Sequence, residues 1–197
     1  MEVEERITYE LQFSFDTVKD NSSERKQYIQ KLLNDYSVNR RLNSKRTIIC
    51  KKDDTKLTIN QKNVRIVSKE KDEIYRLLLV ICKVYSYDVQ NLKNNACIFF
   101  RDMISIENLE PSKYINFISK SVNSNLDNTN DILVEASILT LIDKENIVKC
   151  QYTALKDGLY IELLSMIDYS KFDSVFEMLS KYLNEKKQEF IKDVFEK

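Results

Sequence analysis

Apolar and polar residues alternate with period two from Ile7 to Phe15, where Ile7, Tyr9, Leu11, Phe13 and Phe15 interleave with Thr8, Glu10, Gln12 and Ser14. That spacing predicts a half-buried strand. The period then changes. Asp20-Asn21-Ser22-Ser23 offers helix N-caps, with Glu24 three residues after Asn21, and Tyr28, Ile29, Leu32, Leu33 and Tyr36 share one helical side. Ser37–Ser44 reads as a polar link. Three short strands follow, Arg46–Lys52, Thr55–Asn60 and Val64–Ser68, split by turn-like Asp53-Asp54 and Gln61-Lys62-Asn63. After Ser68 a second helix places Ile74, Leu77, Leu78, Ile81, Val84 and Tyr85 on one stripe.

The same order of elements then recurs. Ala96–Ile106 alternates as a strand, Pro111 suits a helix's first turn, and Tyr114, Ile115, Ile118 and Val122 form that helix's apolar side. An Asn- and Ser-rich loop leads to a three-strand meander over Asp131–Ile167. In it Ile132, Val134, Ala136, Ile138 and Ile142 mark the core side of the first strand, Val148, Cys150, Tyr152 and Ala154 that of the second, and Leu159, Ile161, Leu163 and Ile167 that of the third. Gly158, the chain's one glycine, stands where a hairpin takes a residue tolerant of positive φ. Phe172, Val175, Phe176, Leu179, Leu183, Phe190 and Val194 mark a final long helix, and its polar stretch Asn184–Glu189 leaves the last turns to project or dock elsewhere.

The pattern predicts an α+β protein of two tandem β-α-β-β-β-α units, residues 1–90 and 91–197, forming a mainly antiparallel, curved sheet backed by helices. The run Lys56-Leu57-Thr58-Ile59-Asn60, then Asn63-Val64-Arg65-Ile66-Val67-Ser68 leading into the helix at Ile74, resembles the TATA-binding-protein-like fold. The resemblance implies two such units with their longer helices on the convex side of the sheet. TATA-binding proteins are basic and glycine-rich and wedge paired phenylalanines into the minor groove. Here the net charge is zero and Phe99-Phe100 is the only adjacent phenylalanine pair, so the resemblance extends to architecture. The plan is also similar to a sporadically distributed prokaryotic family ending in an amphipathic helix. That similarity implies a subunit or inhibitor of a bacterial or phage defence system.

Composition removes most enzyme chemistry. The chain has no histidine and one glycine, which takes away the commonest general base, His-assisted nucleophiles, P-loops and dinucleotide-binding turns. Asp53-Asp54 reads as a turn, and Arg101-Asp102 as a surface ion pair. Cys50, Cys82, Cys97 and Cys150 stand singly, as packed free thiols do. The expectation is therefore a chain without catalytic, cofactor-binding or metal-binding residues. The longest apolar run, Ile74–Tyr87, contains Arg76 and Lys83 and is too short to span a bilayer, and the acidic start Met1-Glu2-Val3-Glu4-Glu5 is unlike a leader, so a cytoplasmic protein with no membrane contact is expected.

Two surfaces are candidates for binding. In the second meander, Leu133, Leu139 and Leu141 lie opposite the core positions of the first strand. With Phe190 and Val194 of the final helix they suggest an interface for a protein partner or a second copy. Between Ser37 and Lys71 there are 11 basic and 3 acidic residues, a local excess of 11 − 3 = +8. Arg40, Arg41, Lys45, Arg46, Lys51, Lys52, Lys56, Lys62 and Arg65 form a candidate anion or nucleic-acid patch. A non-enzymatic protein-binding or assembly module is the first reading, and nucleic-acid binding through residues 40–71 the alternative.

Overall fold

A computed structural model of the chain describes residues 3–41, 46–94, 96–123, 136–143 and 146–195. It is an α+β fold with mostly antiparallel strand pairing and four α-helices. The described residues fall into two compact units. The first comprises Thr8–Phe99 with Met166–Phe172, and the second Met1–Ile7, Phe100–Ser165 and Asp173–Lys197.

In the first unit, β2 (Thr8–Ser14), β3 (Ser37–Arg41), β4 (Thr47–Lys52), β5 (Thr55–Ile59) and β6 (Asn63–Ser68) form a sheet of order β3-β4-β5-β6-β2. One transverse row of its register reads Val38, Cys50, Leu57, Ile66 and Leu11, all buried. Helices α1 (Ser23–Leu32) and α2 (Lys71–Tyr85), with Leu33 at the C-cap of α1, supply the rest of this core through Ile29, Leu33, Ile74, Leu77, Leu78, Ile81, Val84 and Tyr85. The buried residues of α2 are the six of its predicted stripe.

One expectation about α1 holds and another changes. Its N-cap is Ser22, whose hydroxyl accepts from the Arg25 amide, and it ends at Leu32. Asn34 and Asp35 compete for local backbone bonds and break the helix. The Gln30 amide instead donates to the Leu33 and Tyr36 carbonyls, and Tyr36 enters the core from beyond the turn. The chain thus leaves the helix early enough for Ser37–Arg41, expected to be a polar link, to form edge strand β3.

Asn21, expected near the helix cap, is fully buried. Its amide nitrogen donates to the carbonyls of Arg46 (2.6 Å) and Ile59 (3.1 Å), and its oxygen accepts from the Tyr85 hydroxyl (2.7 Å). One side chain thereby ties the start of α1 to β5, to the entry of β4 and to α2.

In the second unit, β7 (Ala96–Ile106, of which Phe100–Ile106 belongs here) is followed by α3 (Pro111–Asn123), then β8 (Ala136–Asp143), β9 (Asn146–Leu155), β10 (Gly158–Met166) and α4 (Phe172–Phe195). The strand order is β7-β10-β9-β8, with β1 (Val3–Glu5) paired to β7. Phe100, Ile104, Ile106, Val148, Cys150, Tyr152, Leu159, Ile161 and Leu163 form its buried face. Phe100 meets Phe176 of α4 at 4.5 Å between ring centroids, while Phe117 of α3 packs edge-on to Tyr152 and Phe190. Both helices therefore cover the same side. The last turns of α4 dock within this unit, through buried Phe190 and through Lys187 to Glu5 (2.8 Å) and Lys120 to Asp193 (2.7 Å).

Gly158 is not at positive φ, contrary to expectation. A Cβ there would lie 2.6 Å from the Ile104 carbonyl oxygen and 2.8 Å from Met103 Cε. The position needs the absence of a side chain, not an unusual dihedral. Gly158→Ala should therefore lower stability by about 1–3 kcal/mol in a denaturant titration, as overpacking does. A backbone effect alone would stabilise slightly.

Candidate functional site

In a strand, neighbouring side chains take opposite faces, so each sheet has one face under helices and one open. On the open face of the first unit two transverse rows follow from the register. One is Ser37, Lys51, Lys56, Val67 and Glu10, and the other Asn39, Ile49, Thr58, Arg65 and Gln12. Arg41 falls on the same face at the edge. The structure thus places Arg41, Lys51, Lys56 and Arg65 on one face.

It takes others of the predicted basic set elsewhere. Arg40 turns to the helix side and donates to the Asn21 carbonyl (2.6 Å). Lys52 bonds Asp35 at 2.8 Å and lies over the Tyr36 ring. Lys62 is exposed in the β5–β6 turn, and Arg46 precedes β4 at φ 42°. Lys45 lies outside the described residues.

Arg65 bonds both carboxylate oxygens of Glu10, which also accepts from Gln12. Glu10, the one acid in these rows, is fully buried beneath that cover. On the helix side, hydrogen bonds from Arg76 and then from Lys52 hold the Asp35 carboxyl well below the usual carboxylate range. Arg76 reaches Asp35 at 2.8 Å and Glu73 at 2.8 Å, and Tyr36 donates to Glu73.

The open face of the second unit is different in kind. Arg101, Met103 and Ser105 of β7, Tyr160, Glu162 and Leu164 of β10, and Ile147, Lys149, Gln151, Thr153 and Leu155 of β9 lie on it. Arg101 pairs with Glu162 at 2.5 Å, and the Tyr160 hydroxyl donates to the same carboxylate (3.0 Å). Burial, and then the Glu162 charge, push the Tyr160 phenol up to about 12, so it stays a donor at neutral pH. Around this network, Ile147 is 56% and Leu155 41% exposed, with Met103 and Leu164 half-buried.

Of the residues expected at a protein interface, Phe190 is corrected to a core position. It is fully buried, stacked on Tyr114 at 5.6 Å and edge-on to Phe117 at 5.1 Å. Val194 is half-buried near the end of α4. In the backbone register Leu139 pairs with Cys150 and Leu141 with Val148, partners whose own side chains are buried. Leu133 lies outside the described residues.

Asp102 is also not where the sequence suggested. It falls on the buried row between Phe100 and Ile104, while Arg101 faces the other way to Glu162, so the two form no ion pair with each other. Both Asp102 oxygens are buried, and the Arg6 and Met103 backbone amides nearby give them no well-aligned hydrogen bond. Burial first, and the Glu5 charge second, raise its carboxyl above the ordinary value, and Lys187 only moderates this.

The signs for the two aspartates are opposite. Asp35, depressed in the fold, contributes stability above the ordinary carboxylate value and loses it as pH falls. Asp102, raised in the fold, costs stability as pH rises through the ordinary value and up to its folded one. Asp102→Asn should therefore melt higher than the parent at neutral pH, and thermal scans should show the gap closing in acid.

Neither a protein-family model nor a curated protein sequence matches the chain. Among the described residues no group of three or more His, Cys, Asp or Glu side chains could hold a metal ion, and no helix is long and apolar enough to cross a membrane. Cys50 and Cys150 are buried free thiols, which burial pushes up to about 12 and about 11. They stay protonated and unreactive at neutral pH.

Proposed function

We propose that the chain is a non-enzymatic binding module, built on two copies of one β-α-β-β-β-α plan, whose second unit holds a protein partner on its open sheet face. The observation that carries this is the makeup of that face. Exposed Ile147 and Leu155, with Met103 and Leu164, surround a closed Arg101–Glu162–Tyr160 network. Tyr, Met and Arg, residue types enriched at protein interfaces, all belong to this face. An antiparallel sheet facing water alone is normally polar on that side.

The duplicated plan has support in the strand orders. In the first unit β4-β5-β6-β2 and in the second β8-β9-β10-β7 follow the same sequence of elements, with β3 added at one edge. A helix follows the first strand and another follows the last in each.

The test is co-purification of the tagged chain from its native host, comparing the parent with Ile147→Asp/Leu155→Asp. Both positions are exposed, so the variant should keep the parent's melting temperature. The parent is expected to retain a stoichiometric protein, or its own untagged copy, which the variant loses. A parent that stays monomeric and retains nothing, or retention indifferent to the substitutions, overturns the reading.

A further inference from the structure

The geometry of the first unit points to a second, independent activity: its open sheet face binds the phosphate backbone of duplex nucleic acid through Lys51, Lys56 and Arg41. The key observation is that Lys51 and Lys56 are direct cross-strand partners. Opposed side chains in an antiparallel pair stand roughly 5 Å apart, and like charges so placed destabilise the sheet. Both are exposed, and neither forms an ion pair among the described residues.

No neighbouring acid forms an ion pair with them among the described residues. Glu10, in the same row, is buried and held by Arg65 and Gln12. At the β4–β5 turn, Asp54 is held by Lys69 at 2.6 Å, which leaves Asp53, in the turn itself at φ 46°. A face that keeps an uncompensated lysine pair is suited to an anion that supplies the missing charge.

The rest of the face narrows the ligand. Arg41 stands at the edge, Arg65 stands beside Thr58, and Asn39, Thr58 and Gln12 offer neutral hydrogen-bond donors between the cations. Rows on one face are about 7 Å apart and strands about 5 Å apart, so the charges are spread over a surface rather than focused in a cleft. That suits a polymer with regularly repeated charge.

No aromatic side chain belongs to these two rows, so there is no platform for stacking unpaired bases. Ile49 is buried and Val67 half-buried, leaving no apolar wedge to enter a bilayer or a base step. Contacts confined to phosphates carry no sequence information. Duplex backbone is the ligand that asks for cations and neutral donors alone.

The test is a fluorescence anisotropy titration with a short mixed-sequence DNA duplex and one of its single strands, at low and at physiological salt. The parent is expected to bind the duplex at low salt and lose affinity as salt rises. Three phosphate contacts give a log–log slope of about −3. Lys51→Glu should weaken binding at least about tenfold and flatten the slope by about 1.

The same substitution places a carboxylate opposite Lys56, so it should melt no lower than the parent, which separates binding from folding. Ile147→Asp/Leu155→Asp should bind the duplex as the parent does, so this inference and the protein-partner reading fail or stand separately. No binding at low salt, a salt-independent affinity, or Lys51→Glu binding like the parent overturns the proposal. Tighter binding of the single strand overturns the assignment to duplex.

Discussion

Phe190→Ala is expected to destabilise the protein by about 3–5 kcal/mol in a denaturant titration, the range for removing a buried phenylalanine without full collapse of the cavity. Phe190 is fully buried and joins the rings of Tyr114 and Phe117, and Phe117 in turn meets Tyr152 on the sheet. Its loss would open a cavity where α3, α4 and the sheet converge. An interface residue would behave otherwise, leaving the isolated chain's stability nearly unchanged and weakening only the complex. Phe190→Leu, which keeps most of the volume, should recover a substantial part of the loss.

Asn21→Ala is expected to cost about 2–4 kcal/mol. The substitution strands the Tyr85 hydroxyl and the carbonyls of Arg46 and Ile59, which now share one amide. Each buried polar group left without a partner costs about 1–3 kcal/mol, and the terms do not add fully because the neighbours relax. Tyr85→Phe should cost less, on the order of 1 kcal/mol, since it removes one donor and leaves Asn21 its two carbonyls. In the double variant the Tyr85 change should add almost nothing, and a double-mutant cycle by chemical denaturation measures that coupling. Additive losses would mean that the Asn21–Tyr85 bond contributes nothing in solution.

Much of the fold was legible where one period dominates. The stripe of α2 and the alternation of β7 over Ala96–Ile106 leave no competing assignment, and both elements stand where the pattern put them. Edge strands were not legible. Ser37-Val38-Asn39-Arg40-Arg41 has a single apolar residue, and Val3-Glu4-Glu5 reads as an acidic tail, because a strand paired on one side needs little burial to persist. Tyr36 fits the stripe of α1 because a buried aromatic at helical spacing imitates one, although Asn34 and Asp35 before it carry the stop signal.

The candidate sites were legible as composition but not as geometry. Counting cations located the basic segment. The strand period then divides it, sending Lys51 and Lys56 to the open face and Arg40 and Lys52 to the helix side. The same period had the information to separate Arg101 from Asp102, since adjacent residues of a strand cannot share a face. What it could not supply is the reason an aspartate sits on an apolar row. Gly158 is needed for close approach and not for its dihedral, and crowding by a neighbouring strand has no local signature.

The most direct measurement is hydroxyl-radical footprinting of side chains, read by mass spectrometry, on the purified chain and on the chain in native-host extract. Met103, Ile147 and Leu155 are expected to be modified in the purified chain and shielded in extract, with Phe190 and Tyr152 protected in both. Equal modification of Ile147 and Leu155 in the two conditions would contradict a partner-binding role for the open face of the second unit. Strong modification of Phe190 in the purified chain would contradict its place in the core.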